Sequence, residues 1–184
     1  MVQASWNVGS PMVDSACLHS AAGPFPARHN HRRVVICGSM TFYGEMLRMQ
    51  DCLVQNDVPV ELPDAEDDIV AALEQAEYER FKRRVTLAHL RRVRHRTTFA
   101  VLVLNLDKHD RPDYIGPSTY AEIAMASAFN KPVYLIGNVP SAYADELAAW
   151  KAVPLNGRMD RLVEDYWASC VPRPQPQMKL FSMA

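Results

Sequence analysis

The sequence has no apolar run long enough to span a bilayer, which excludes a helical membrane segment. It has no excess of either charge. Twenty basic side chains against 21 acidic ones leave a net charge of -1 at pH 7, so bulk charge points to neither a nucleic-acid nor a membrane partner. The N-terminus lacks the basic-then-apolar order of a secretory signal, and a cytoplasmic location is the expectation. Internal repeats are absent. Cysteines are few and scattered: Cys17, Cys37, Cys52 and Cys170 fall in different kinds of segment. That spacing argues against a disulfide framework and for reduced thiols. Cys37 lies in an apolar strand pattern and Cys52 in a helical one, and both read as small core residues.

What is present suits one domain. The chain has 184 residues, and with 48% of them hydrophobic it can bury a sizeable core. Residues 1–31 show no sustained hydrophobic period and are rich in Ser, Ala, Pro, Gly and His, the composition of a disordered tail. Cys17, His19, His29 and His31 in that tail are zinc-ligand types, but their spacing matches no common finger. The domain is expected over 32–170. The proline-rich end, 171–184, is expected to be irregular.

Inside the domain, short apolar runs alternate with helical periods. Val34-Val35-Ile36-Cys37-Gly38-Ser39 has the continuous apolar character of a strand buried on both faces. Thr41 is placed to cap a helix whose buried stripe is Phe42, Met46, Met49 and Leu53. Val58 to Leu62 reads as a second strand, and Pro59 assigns it to a sheet edge because proline donates nothing to the ladder. Asp64 to Arg96 is helical, as one helix or two, with Asp67 and Asp68 favouring its positive end. Phe99 to Leu104 is the strongest strand signal in the chain. A polar loop, a compact apolar helix over Thr119 to Asn130, and a strand over Val133 to Gly137 follow. Helical patterns at Ala144 to Ala152 and Met159 to Cys170 flank a short strand at Val153-Pro154-Leu155. Such alternation implies an α/β doubly wound sandwich with a parallel sheet of four to five strands. The flavodoxin-like order 2-1-3-4-5 is the economical choice, and it opens a ligand crevice between the C-terminal ends of the first and third strands.

Those ends carry the candidate site. Gly38, Ser39 and Met40 join the first strand to its helix, where glycine permits close approach and free N–H groups suit a phosphate or sugar hydroxyl. The competing reading is simple turn geometry. Asn105 follows the most apolar strand at the switch point and is the better ligand candidate there. Asp107 fits a turn or Asx cap as well as a ligand contact. Glu122 lies in an otherwise apolar helix, where burying a carboxylate without a purpose is costly. The helix dipole is expected to keep it ionised, as a nucleophile requires. Alternatively Ser118 or Thr119 caps the helix and Glu122 closes a capping box. The basic stretch holds Arg80, Lys82, Arg83, Arg84, Arg91, Arg92, Arg94 and Arg96. It reads as a solvated helix face, with Glu74, Glu77 and Glu79 available as partners, more readily than as a nucleic-acid surface.

The segment ICGSMTFYGEML, followed later by VLVLNLDKHDRPDYIGPSTYAEIAMASAFNKPVYLIGNVP, resembles the nucleoside 2-deoxyribosyltransferase-like superfamily, nearest its small bacterial and phage-type branch. The similarity covers roughly Arg33 to Pro140. The resemblance implies that Glu122 attacks the anomeric carbon of a nucleoside and displaces the base, by the physics of a retaining glycosidase. It further implies that Gly38, Ser39 and Met40 line the sugar or phosphate side. Asn105, Asp107, Tyr114, Gly116 and Thr119 complete the substrate-binding set. Gly116 stands where the family's transferases carry an aspartate, and the acidic residue they place before the central strand is replaced by Leu90-Arg91-Arg92-Val93-Arg94. The acid that protonates the leaving base is therefore open among Asp107, Asp113 and His89. The expected ligand is a nucleoside or nucleoside 5′-monophosphate. Neither a metal nor a redox cofactor is implied. A homodimer or larger homo-oligomer is expected to cover the apolar helix. The alternative function is a non-catalytic module that binds a nucleotide-derived ligand.

Overall fold

Strands that are apolar on both faces need helices on both faces, and the chain supplies them in order. The computed structural model describes residues 32–64 and 73–171. Its elements are β1 (Arg33–Gly38), a 3-10 turn (Met40–Phe42), α1 (Tyr43–Gln55), β2 (Val60–Glu61), α2 (Gln75–Arg94), β3 (Thr98–Leu104) and α3 (Pro117–Ala128). After them come β4 (Val133–Leu135), a second 3-10 turn (Ser141–Tyr143), α4 (Ala144–Ala149), β5 (Val153–Pro154) and α5 (Asp160–Cys170). The five strands form one sheet in the order β2-β1-β3-β4-β5, and every pairing is parallel. This is a doubly wound α/β fold of flavodoxin-like order.

Strand parity sorts the core into two layers. Val34 and Ile36 of β1 and Ala100, Leu102 and Leu104 of β3 pack against Met46, Met49 and Leu53 of α1 and Leu162 and Tyr166 of α5. The opposite parity, Val35 and Cys37 with Val101 and Val103, meets Val93 of α2, Ile123 and Ala126 of α3, and Leu147 of α4. All seven residues of β3 are buried, as a central parallel strand requires. Fully burying each of the large aliphatic side chains contributes roughly 1.5–3 kcal/mol. β1 and β3 run in register to their ends, where Gly38 pairs with Leu104. That shared end is the switch point at which the chain order reverses.

Some local readings shift. Thr41 does not cap α1: it lies inside the 3-10 turn, and Phe42 occupies the N-cap position without a side-chain bond. The second strand shrinks to Val60–Glu61, at the sheet edge where Pro59 placed it; the Pro59 carbonyl accepts from the Val34 N–H at 2.8 Å. Asp67 and Asp68, and the expected tails at 1–31 and 172–184, lie outside the described residues. α2 begins only at Gln75, and its first half is exposed; just His89 and Val93 are buried. Its acidic neighbours Glu74, Glu77 and Glu79 form no ion pair with the arginines among the described residues. Among the described residues, Arg92 is the arginine of the helix held by ion pairs, with Glu61 at 3.0 Å and Asp64 at 2.6 Å. Among the described residues, no helix is long and apolar enough to cross a membrane.

Candidate active site

Parity also decides what meets beneath the end of β1. Cys37 is the last inward-facing residue before Gly38, and it points to the α2–α3 side. α2 crosses that side with His89 and Val93, one turn apart, as its buried positions. α3 turns Thr119, Glu122, Ile123 and Ala126 inward. Cys37, His89 and Glu122 therefore converge, one donor atom of each lying within 4.8 Å of the others. Cys37 Sγ is 3.3 Å from His89 Nε2. His89 Nε2 is 3.8 Å from Glu122 Oε1. Glu122 is buried, with 8% of its surface exposed.

Burial dominates the electrostatics of all three. It drives the Glu122 carboxyl up from 4.5 to about 7, against a smaller opposing pull from the Cys37 thiol. It pushes the Cys37 thiol well above its ordinary range, and the Glu122 charge adds to that. It lowers His89 from 6.5 to about 4, helped by the Arg92 charge and opposed by Asp64 and the Ile36 backbone. His89 Nδ1 is buried and makes no well-formed hydrogen bond, so the Ile36 contact is weak. At neutral pH the cluster holds a thiol, a neutral imidazole and a carboxyl group close to half ionised. The helix dipole does not keep Glu122 fully charged, because desolvation outweighs it.

The capping-box alternative is overturned. Gly116 is the N-cap of α3 and Pro117 its first residue, with no side-chain cap bond. Ser118 and Thr119 lie inside the helix, and proline at the first position suits an N–H that has no helical partner anyway. The Glu122 carboxylate faces Cys37 and His89 instead of its own helix end.

The remaining expected residues form two groups. Ser39, Tyr114 and Gly116 gather in the loops after β1 and β3 around Lys108, whose Nζ donates to Ser39 Oγ at 2.9 Å. The same ammonium lies 5.3 Å from the centre of the Tyr114 ring. Tyr114 in turn covers Gly116: a Cβ there would sit 3.2 Å from the phenolic oxygen. Gly38 is fixed by close approach, since a Cβ would meet Met46 Cε at 3.0 Å and the Leu104 carbonyl at 3.1 Å. Met40 opens the 3-10 turn, and Thr119 is buried one turn ahead of Glu122.

The second group holds loops together. Asn105 Oδ1 accepts from the Gly137 N–H at 2.9 Å, and its Nδ2 donates to the Asn138 carbonyl at 2.7 Å. Asp113 Oδ1 accepts from the Asn138 N–H at 2.7 Å, and Asp107 Oδ1 accepts from the Asp113 N–H at 3.1 Å. Asn105, Asp107 and Asp113 are thus engaged with backbone. Of the three candidate acids, only His89 is brought to Glu122.

Sequence reasoning missed Cys37 and Lys108 as site residues and Gly137 as a constraint. The first had a signal: alternation along β1 puts Cys37 on the face that α3 must cover. Lys108 sits in a loop with left-handed residues at His109, Asp110 and Asp113, whose path no periodicity reveals. No family model, curated protein or solved structure matches the chain.

Proposed function

We propose that the chain cleaves or transfers the N-glycosidic bond of a nucleoside or nucleoside 5′-monophosphate, with Glu122 as nucleophile, in the manner of the nucleoside 2-deoxyribosyltransferase-like superfamily that its sequence resembles. The observation that carries this reading is the placement of the Glu122 carboxylate. It reaches from α3 to the end of β1, beside the switch point, and does not cap its own helix. The carboxylate forms a sugar ester as the C–N bond to the base breaks, the bonding pair leaving with the base. Water or a second base then takes the sugar and frees the carboxylate.

Around it, Cys37 and His89 fix the carboxyl rotamer and limit water. His89 is neutral above about pH 4, so the proton for the leaving base does not come from an imidazolium. Lys108, held by Ser39 and Tyr114 beside the end of β1, is suited to a 5′-phosphate. That feature favours a nucleotide over a nucleoside as ligand.

Incubation with a panel of nucleosides and their 5′-monophosphates, followed by chromatography, tests the reading. Free base should appear with the wild type, and Glu122→Gln should reduce its rate by ~10²-fold or more. The second reading, a non-catalytic binding module, is favoured by the near-complete burial of Glu122. Thermal stabilisation by a nucleotide with no base released would select it.

A further inference from the structure

We propose that Cys37, His89 and Glu122 form a binding site for a divalent cation of the zinc class. The donor set is one sulfur, one imidazole nitrogen and one carboxylate oxygen, contributed by β1, α2 and α3. Magnesium and calcium prefer all-oxygen shells, whereas thiolate with imidazole suits zinc and its neighbours. The spacing comes close, with the Glu122 carboxylate standing slightly farther off than a bound ion would hold it. A tetrahedral zinc with bonds of about 2.0–2.3 Å holds its donors about 3.3–3.6 Å apart. Cys37 Sγ and His89 Nε2 are 3.3 Å apart, and His89 Nε2 and Glu122 Oε1 are 3.8 Å apart. All three residues are buried, so no large rearrangement of exposed side chains is needed.

A second observation points the same way. Among the described residues, Cys37 Sγ, His89 Nε2 and the Glu122 carboxylate have one another as their side-chain partners. Buried polar side chains that face each other are what a cation satisfies. On binding, the Cys37 thiol gives its proton to solvent and coordinates as thiolate. His89 binds through the Nε2 lone pair with its proton on Nδ1, and Glu122 binds as carboxylate. No electron is transferred. Three protein ligands leave a fourth position for water. The site rests on these residues alone, but it shares Glu122 with the proposed reaction. A carboxylate whose lone pair is held by a metal cannot attack a sugar, so occupancy suppresses base release.

Cobalt(II) is the probe for the full-length, chelator-treated chain, kept reduced by a phosphine. The wild type should bind one equivalent, with a thiolate-to-cobalt charge-transfer band and the strong visible bands of a four-coordinate ion, both erased by zinc. Cys37→Ser should lose the charge-transfer band, and the double variant Cys17→Ser with Cys170→Ser should keep it. His89→Gln should weaken binding at least about tenfold. X-ray absorption on the zinc-loaded wild type needs no variant and should find one sulfur among nitrogen and oxygen donors. A wild type without the band, a band that persists in Cys37→Ser, or a zinc shell with no sulfur or with several would overturn the proposal. Base release is measured in chelator, so its loss in Glu122→Gln stands or falls independently of the cobalt result.

Discussion

Glu122 occupies an environment that works against its charge, and that sets the pH behaviour of the metal-free protein. Attack on a sugar needs the carboxylate, and burial holds the group at about 7. Base release should therefore rise with pH about tenfold per unit below 7 and level off above it, measured as kcat/KM in chelator. A profile that is flat down to pH 5 would contradict the role of Glu122. Stability gives a second readout. Between 4.5 and 7 the folded state holds a proton on Glu122 that the unfolded chain has lost, so this group's contribution falls as pH rises. His89 acts in the opposite sense. Between 4 and 6.5 the unfolded chain binds a proton that the folded imidazole refuses, so its contribution grows with pH. The two nearly cancel where they overlap. Glu122→Gln removes the first and leaves the second, and chemical denaturation of that variant should show stability increasing by about 3 kcal/mol from pH 4 to 6.5. The wild type should show little slope from these groups over the same window.

At the scale of elements, the loops at the strand ends clamp one another. Asn105 carries two side-chain bonds that tie the end of β3 to the loop after β4. Asn105→Ala leaves the Gly137 N–H and the Asn138 carbonyl without partners and should cost about 1–3 kcal/mol in denaturant melts. Gly137 is required by the same clamp, because a Cβ would collide with Asp113 Oδ1 and come within 2.9 Å of the Asn105 carbonyl. Lys108 bridges the loops after β1 and β3 through Ser39. Lys108→Gln should raise KM for a 5′-monophosphate roughly tenfold or more and leave KM for the matching nucleoside nearly unchanged. Equal effects on both ligands would remove the phosphate role. Much of this level was legible in the sequence. The apolar runs of β1 and β3 announced two buried parallel strands, and the Pro59 edge position followed from a missing N–H. The uses of Asn105 and Asp107 were not legible. A polar residue after a strand can face a ligand or a neighbouring loop, and only the path of Gly137-Asn138 decides between them.

The whole molecule places its chemistry through topology. The order β2-β1-β3-β4-β5 brings residues 37, 89 and 122 together from three separate elements. No local spacing links them, which is why Cys37 reads in isolation as a core residue and His89 as an unremarkable helical histidine. That Glu122 is buried was legible from the apolar character of α3. Identifying its companions needed the fold. Of the apolar helix that a second copy is expected to cover, Thr119, Glu122, Ile123 and Ala126 are already buried within the chain, while Phe129 just past its end is exposed.

The central claim is that the Glu122 side chain bonds covalently to the sugar. Rapid acid quench of the chelator-treated protein with a nucleoside 5′-monophosphate, followed by intact mass and peptide mapping, tests it directly. The account predicts a gain equal to the nucleotide less the released base, on the peptide that contains Glu122 and absent from Glu122→Gln. Base released with no adduct, or with the adduct on another residue, would contradict it.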